Sequence, residues 1–315
     1  MSGLGEALDQ YLATRRGLGY ELRNSEKLLR SFVGFMQQHE AHHITTQLAV
    51  DWAKQPREVE LSTWTSRLSV VRQFALWVSA SDQRTEIPAT ALLPHRYQRK
   101  PPYIYTDDEI QRLLEATRQL PSTHGLRAHS YTTLIGLLAV SGMRLSEALS
   151  LDCRDADLDE GILTIRHTKF GKTRLIPVHS STCRFLQAYA RRRDHLFPAA
   201  LTPAFFIGER GARITGCATR YNFAVVSRQT GLREPAGGYR HGHGPRLHDL
   251  RHRFAVTTLL NWYRAGLDVE REIPKLSTYL GHVHMTDTYW YIEAVPELLQ
   301  LATDRLVGTQ KEDLP

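Results

Sequence analysis

Apolar residues recur at three-to-four spacing through the first eighty residues of this chain. Leu8 and Leu12 begin the pattern, Leu28, Leu29, Phe32, Val33, Phe35 and Met36 continue it, and Leu68, Val71, Phe74, Ala75 and Val78 close it. That period puts one apolar stripe on each of several helices and predicts a small helical bundle over residues 4–80. Ser25 and Ser62 are the expected N-caps of the second and a later helix. Thr106-Asp107-Asp108-Glu109 has the form of a capping box and predicts a helix over 107–118. Further helices are expected over 130–141 and from about Leu247 to Tyr263, while Gly161 to Val178 reads as strand, tight turn, strand. The expected fold is mainly α with a small β-sheet, an α+β class.

The segment from Leu93 to Pro102 interrupts the pattern. Its prolines prevent helix, and Arg96, Arg99 and Lys100 between them suit a strand lying along a phosphate backbone. The expected organisation is a helical domain over 1–93, a basic proline-rich linker over 94–105, and a second domain over 106–315. At 315 residues and 42% hydrophobic, the chain can fill two cores.

Charge narrows the function. The formal net charge is +7, and Gly208 to Val256 holds nine arginines against three acids. Cations gathered in that way point to a polyanion. In the first helices Arg15, Arg16, Arg23, Lys27, Arg67 and Arg72 lie among Glu6, Asp9, Glu21 and Glu26, so a solvated face and phosphate contacts both remain open. Cys153, Cys183 and Cys217 are odd in number with no CxxC spacing, which suits reduced thiols. No membrane span or signal-peptide pattern is visible, so the expected location is cytoplasmic, at the nucleoid.

The candidate chemistry lies in the second part of the chain. Arg144 follows Ser141-Gly142, where the apolar run Leu134 to Val140 breaks, and Glu147 stands three residues on, placed to hold its guanidinium. The bland alternative is an arginine at a helix end. Lys169 lies at the tip of the expected hairpin, with Lys172 and Arg174 as competitors or plain phosphate contacts. His248 and Arg251, at i, i+3, share one face at the start of a helix, a favourable place for phosphate, with Arg246 just before them. His248 and His252 at i, i+4 also permit a zinc reading, though no glutamate of a His-Glu-x-x-His motif accompanies them. His282 follows Leu280-Gly281, and Tyr291 comes nine residues later. Tyr289 and Tyr291 are two apart, so on a helix they cannot face the same cleft, and aromatic core packing is the alternative for either. Two arginines, a lysine and two histidines around a phenol meet the needs of a phosphodiester attacked without a metal.

These segments together resemble the tyrosine recombinase (phage integrase) family. Ser141-Gly142-Met143-Arg144-Leu145-Ser146-Glu147 matches its first arginine box, Lys169-x-x-Lys172-x-Arg174-x-x-Pro177 its lysine hairpin, His248-x-x-Arg251-His252 its second box, and Leu280-Gly281-His282 with Tyr291 its last. The resemblance implies a core-binding (SAM-like) DNA-binding domain before the linker and a catalytic domain with a C-terminal tail helix after it. It implies Tyr291 as nucleophile forming a 3′-phosphotyrosyl bond, Arg144, Arg251, His248 and His282 around the phosphate, and Lys169, ahead of Lys172, as acid for the departing 5′ oxygen. Arg96, Arg99, Lys100, Lys172, Arg174 and Arg246 are the expected DNA contacts. No cofactor, ATP or metal is implied, in keeping with the lack of a GxxxxGK[ST] loop.

The implied partners are double-stranded recombination sites, three further protomers in a tetramer on DNA, and sibling recombinases or accessory proteins. The tail from Pro296 to Val307 is expected to dock on a neighbouring protomer. The length between Asn261 and Tyr279 resembles the integrases of transposons and other mobile elements. A type IB topoisomerase and a non-catalytic DNA-binding regulator are the alternatives. A hydrolytic nuclease would need a metal site that the sequence does not offer.

Overall fold

The computed structural model describes residues 3–312 apart from 58, 94–100, 167–172, 200 and 236–243, and of 306–312 only the helical backbone. The chain divides into two compact units, residues 1–100 and 101–315.

The first unit is a four-helix bundle: α1 (Leu4–Gly17), α2 (Arg23–Gln38), α3 (Thr46–Lys54) and α4 (Leu61–Val78). Leu8, Leu12, Leu29, Phe32, Met36, Trp52, Val71 and Phe74 are buried at its centre, as the three-to-four spacing requires. Two N-cap expectations are corrected. The chain turns at Leu22, in left-handed backbone (φ 50°), so α2 starts two residues ahead of Ser25. Likewise α4 starts at Leu61 behind Glu60, and the Ser62 hydroxyl donates to Glu60 Oε2 at 3.3 Å. Both serines lie inside the helix, where backbone geometry excludes the N-cap role. Some of the basic residues here have partners within the bundle. Arg16 and Arg30 pair with Glu26, and the Arg67 guanidinium lies 3.8 Å over the Trp52 ring and donates to Trp52 O.

The second unit begins with α5 (Asp107–Arg118), where the capping box forms: Thr106 Oγ1 accepts Glu109 N–H at 3.2 Å and Glu109 Oε2 accepts Thr106 N–H at 2.8 Å. Helix α6 (Leu126–Ser141) is apolar nearly all round and is therefore central, packed by α5, by α8 (Ser180–Leu196) and by α10 (Leu247–Arg264). After α6 come α7 (Leu145–Ser150) and a three-stranded antiparallel sheet in the order β1 (Ala156–Asp157), β2 (Ile162–Ile165), β3 (Arg174–Pro177). Leu163 pairs with Ile176, and both are buried beneath the hairpin. The hairpin's tip, with Lys169 and Lys172, lies outside the described residues. Helix α9 (Gly216–Gln229) precedes α10.

A second core forms where α10 meets α11 (Val269–Leu280), α12 (Thr286–Ala294) and α13 (Pro296–Glu312). The start of the tail helix α13 packs within its own chain. Leu298 is fully buried in this core, Glu297 pairs with Arg264 at 2.7 Å, and Arg305 donates to Gly266 O. The apolar face left by α10 and α12 is what it covers. Among the described residues no helix is long and apolar enough to cross a membrane.

Candidate active site

Two glycines fix where the site forms. Gly142 ends α6 with φ +59°, and a Cβ there would meet Phe254 Cδ1 at 2.5 Å, so only glycine fits. Gly281 ends α11 with φ +66°, close under the Arg174 guanidinium. Each turn leaves carbonyl oxygens at the negative end of a helix, and arginines collect there.

Arg144, the residue before α7, donates from Nη2 to Gly281 O at 3.0 Å and from Nη1 to Glu147 Oε1 at 2.9 Å. Arg251, on the second turn of α10, is 2% exposed and donates to Gly142 O at 2.9 Å and to Leu280 O at 2.7 Å. Arg174, on β3, grips Glu147 with both Nη atoms (2.9 and 2.7 Å) and donates from Nε to Tyr279 O. Two guanidinium groups, Arg144 and Arg174, thus hold one buried carboxylate, and the third, Arg251, lies near enough to feel the charge of all three.

The electrostatics follow from that count. Burial pushes the Glu147 carboxyl up, but hydrogen bonds and charge from Arg174 and then Arg144 outweigh it, leaving it below the ordinary value. Burial first, and the Arg144 charge next, hold Arg251 down to about 10, still protonated at neutral pH. One carboxylate cannot neutralise three cations, so the pocket carries excess positive charge with planar donor forks, which suits a phosphodiester.

Tyr291, on α12, is 1% exposed in the same core, while Tyr289 turns outward at 38%. The phenol is held by histidine: Tyr291 Oη lies 3.0 Å from His252 Nδ1. His282 stacks 6.4 Å from the Tyr291 ring and sets its Nδ1 2.8 Å from Thr288 Oγ1. His248 is exposed at the start of α10, with its ring edge-on to His252 at 4.7 Å. Among the described residues no group of three or more His, Cys, Asp or Glu side chains is gathered as metal ligands would be.

Of the expected residues, Arg144, Glu147, Arg251, His282 and Tyr291 come together, with His248 at the rim. Arg96, Arg99, Lys100, Lys169 and Lys172 lie outside the described residues. Arg246 is exposed before α10, its N–H given to Asp249 Oδ2 at 2.6 Å. Arg174, expected as a DNA contact, has partners within the fold. It is only 12% exposed and faces Glu147 and Tyr279 O, which makes it a support for the cluster. His252 was not expected at the phenol. Its local signals were its spacing from His248 and its place in the His248-x-x-Arg251-His252 box, and its partner at the phenol lies 39 residues away.

Comparison with known proteins agrees with this architecture. Residues 104–297 match the Phage integrase family. The candidate integrase/recombinase y4rB of Sinorhizobium fredii is 47% identical over 97% of this chain and 98% of its own length. Tyrosine recombinase XerC of Xanthomonas campestris is 33% identical over 71% of this chain and 62% of its own. Among solved structures, the Tn1549 transposon integrase in complex with transposon right end DNA superposes with TM-score 0.63 at 15% identity, over 97% of this chain and 100% of that one. XerH recombinase bound to a palindromic difH substrate gives 0.64 at 19% identity, over 89% and 78%. The lambda integrase tetramer bound to a Holliday junction gives 0.61 at 16%, over 91% and 79%. This chain belongs to the phage integrase family, the tyrosine-type site-specific recombinases.

Proposed function

We propose that this recombinase cuts and rejoins double-stranded DNA through Tyr291, whose Oη attacks the scissile phosphorus to form a 3′-phosphotyrosyl bond and release a 5′ hydroxyl. Arg144 and Arg251 hold the non-bridging oxygens, and His248 and His282 complete the ring of donors around the phosphorus. Lys169 protonates the departing oxygen. Glu147 and Arg174 position Arg144 from behind. The covalent bond keeps the energy of the one broken, so rejoining needs no ATP. The observation that carries this reading is the convergence of Arg144 and Arg251, from separated segments, on the glycine-ended turns at 142 and 281, with Tyr291 near enough to act on the Arg251 charge.

The finer assignments rest on likeness. The Tn1549 integrase is a transposon protein and the lambda integrase is a tetramer on a Holliday junction. They support a mobile-element recombinase that assembles as a tetramer on DNA. Tyr291→Phe should abolish covalent adduct formation on a nicked suicide duplex, with EDTA present throughout, while DNA binding stays within a few-fold. Adduct persisting in that variant would show that another residue is the nucleophile.

A further inference from the structure

A phenol attacking phosphorus must lose its proton, and neutral tyrosine is a poor nucleophile. Tyr291 Oη is withdrawn from water and lies within hydrogen-bond reach of His252 Nδ1, at 3.0 Å. We propose that His252 is the general base of this recombinase. The phenolic proton passes from Tyr291 Oη to His252 Nδ1 as the Oη–P bond forms and the P–O5′ bond breaks. The departing 5′ oxygen takes its proton from a separate donor. On rejoining, the 5′ hydroxyl attacks, the P–Oη bond breaks, and the imidazolium returns its proton to the phenol. The inference rests on Tyr291 being the nucleophile.

The surroundings of His252 favour acceptance at Nδ1. For Nδ1 to be bare, the ring proton must sit on Nε2, and Asp249 Oδ1 lies 4.0 Å from Nε2. A carboxylate there favours the Nε2–H tautomer and stabilises the imidazolium that forms. The opposite tautomer would aim the Nε2 lone pair toward that carboxylate. Asp249 is itself anchored, since Oδ2 accepts the Arg246 N–H. The charged or titratable neighbours of the ring include His248 and Asp249 from α10 and Tyr291 from α12, and Trp290 packs edge-on at 5.7 Å. His282, the other imidazole beside the phenol, directs Nδ1 to Thr288 Oγ1 instead.

The test is single-turnover adduct formation by the full chain on nicked duplexes carrying either an ordinary 5′ oxygen or a 5′-bridging sulfur. His252→Gln keeps a hydrogen-bond acceptor of similar reach but no useful basicity, and His252→Ala removes both. Each should slow adduct formation roughly 10²- to 10⁴-fold on both substrates, since sulfur relieves only leaving-group protonation. The deficit should shrink as pH rises, when hydroxide can take the phenolic proton. A folded His252→Gln protein that cleaves at the wild-type rate, or a variant rescued by the sulfur substrate, overturns the proposal. Thermal melting reports folding. If both variants are unfolded, the wild-type profile decides: a rate that does not fall on acidification rules the base out. Tyr291→Phe runs alongside. An adduct there would sink the nucleophile assignment, whereas a silent Tyr291→Phe with an unimpaired His252→Gln would sink only the base.

Discussion

Arg67 in the helical bundle and Arg251 in the second unit are both drawn out of water, and burial lowers the pKa of both. Their company separates them. Arg67 lies on the Trp52 ring and caps Trp52 O, and burial alone accounts for its lowered pKa. Arg251 is held by two helix-end carbonyls, and its next largest influence is repulsion from Arg144. A guanidinium placed for stability alone is not crowded by two others near a single carboxylate, because like-charge repulsion opposes folding. Burial therefore does not mark the site. The crowding of like charge does, because an anion arriving there relieves it.

The largest effect that sharpens this contrast is on chemistry. Arg251→Ala should slow single-turnover cleavage about 10²- to 10³-fold at saturating DNA, and Arg251→Lys should recover little of it, since lysine lacks the planar fork. Arg67→Ala should leave that rate unchanged and instead destabilise the bundle by about 1–2 kcal/mol, measured by denaturant melting, through the lost stacking and hydrogen bond. Equal slowing by both variants would break the comparison.

Glu147 supplies the next test. Its folded pKa lies below the ordinary 4.5, so it contributes stability above that value, and the contribution is lost as pH falls through the folded pKa. Glu147→Gln should lower stability at neutral pH and flatten the acid limb of the melting-temperature profile. An unchanged acid limb would mean that the carboxylate does not hold Arg144 and Arg174.

The smallest effect concerns the linker. Replacing Arg96, Arg99 and Lys100 together should flatten the log–log salt dependence of DNA binding by roughly two to three units if each cation displaces about one counterion. An unchanged slope would make them solvated residues.

Local patterns made part of this molecule legible. The Thr106 capping box, the period of α10 and the glycines at 142 and 281 each act within a turn or two, so the sequence displays them. Glu147 reaching Arg144 is likewise a three-residue relation. What escaped depends on distance along the chain. Arg174 reads as a free cation until the fold brings Glu147 and Tyr279 O to it, and His252 reads as half of a metal pair until α12 delivers Tyr291. The start of the tail helix looked unpartnered because its partners, α10 and α12, become one surface only after folding. Ser25 and Ser62 show the converse failure. They have the right chemistry for caps, but the preceding backbone turned earlier than composition indicates.

The central claim is that the buried phenol beneath the arginine cluster, and not its exposed neighbour, takes the phosphate. The most direct measurement is mass spectrometry of the protease-digested covalent complex trapped on a nicked suicide duplex. The account predicts a nucleotide linked through its 3′ phosphate to Tyr291. A nucleotide on Tyr289 or any other residue would contradict it.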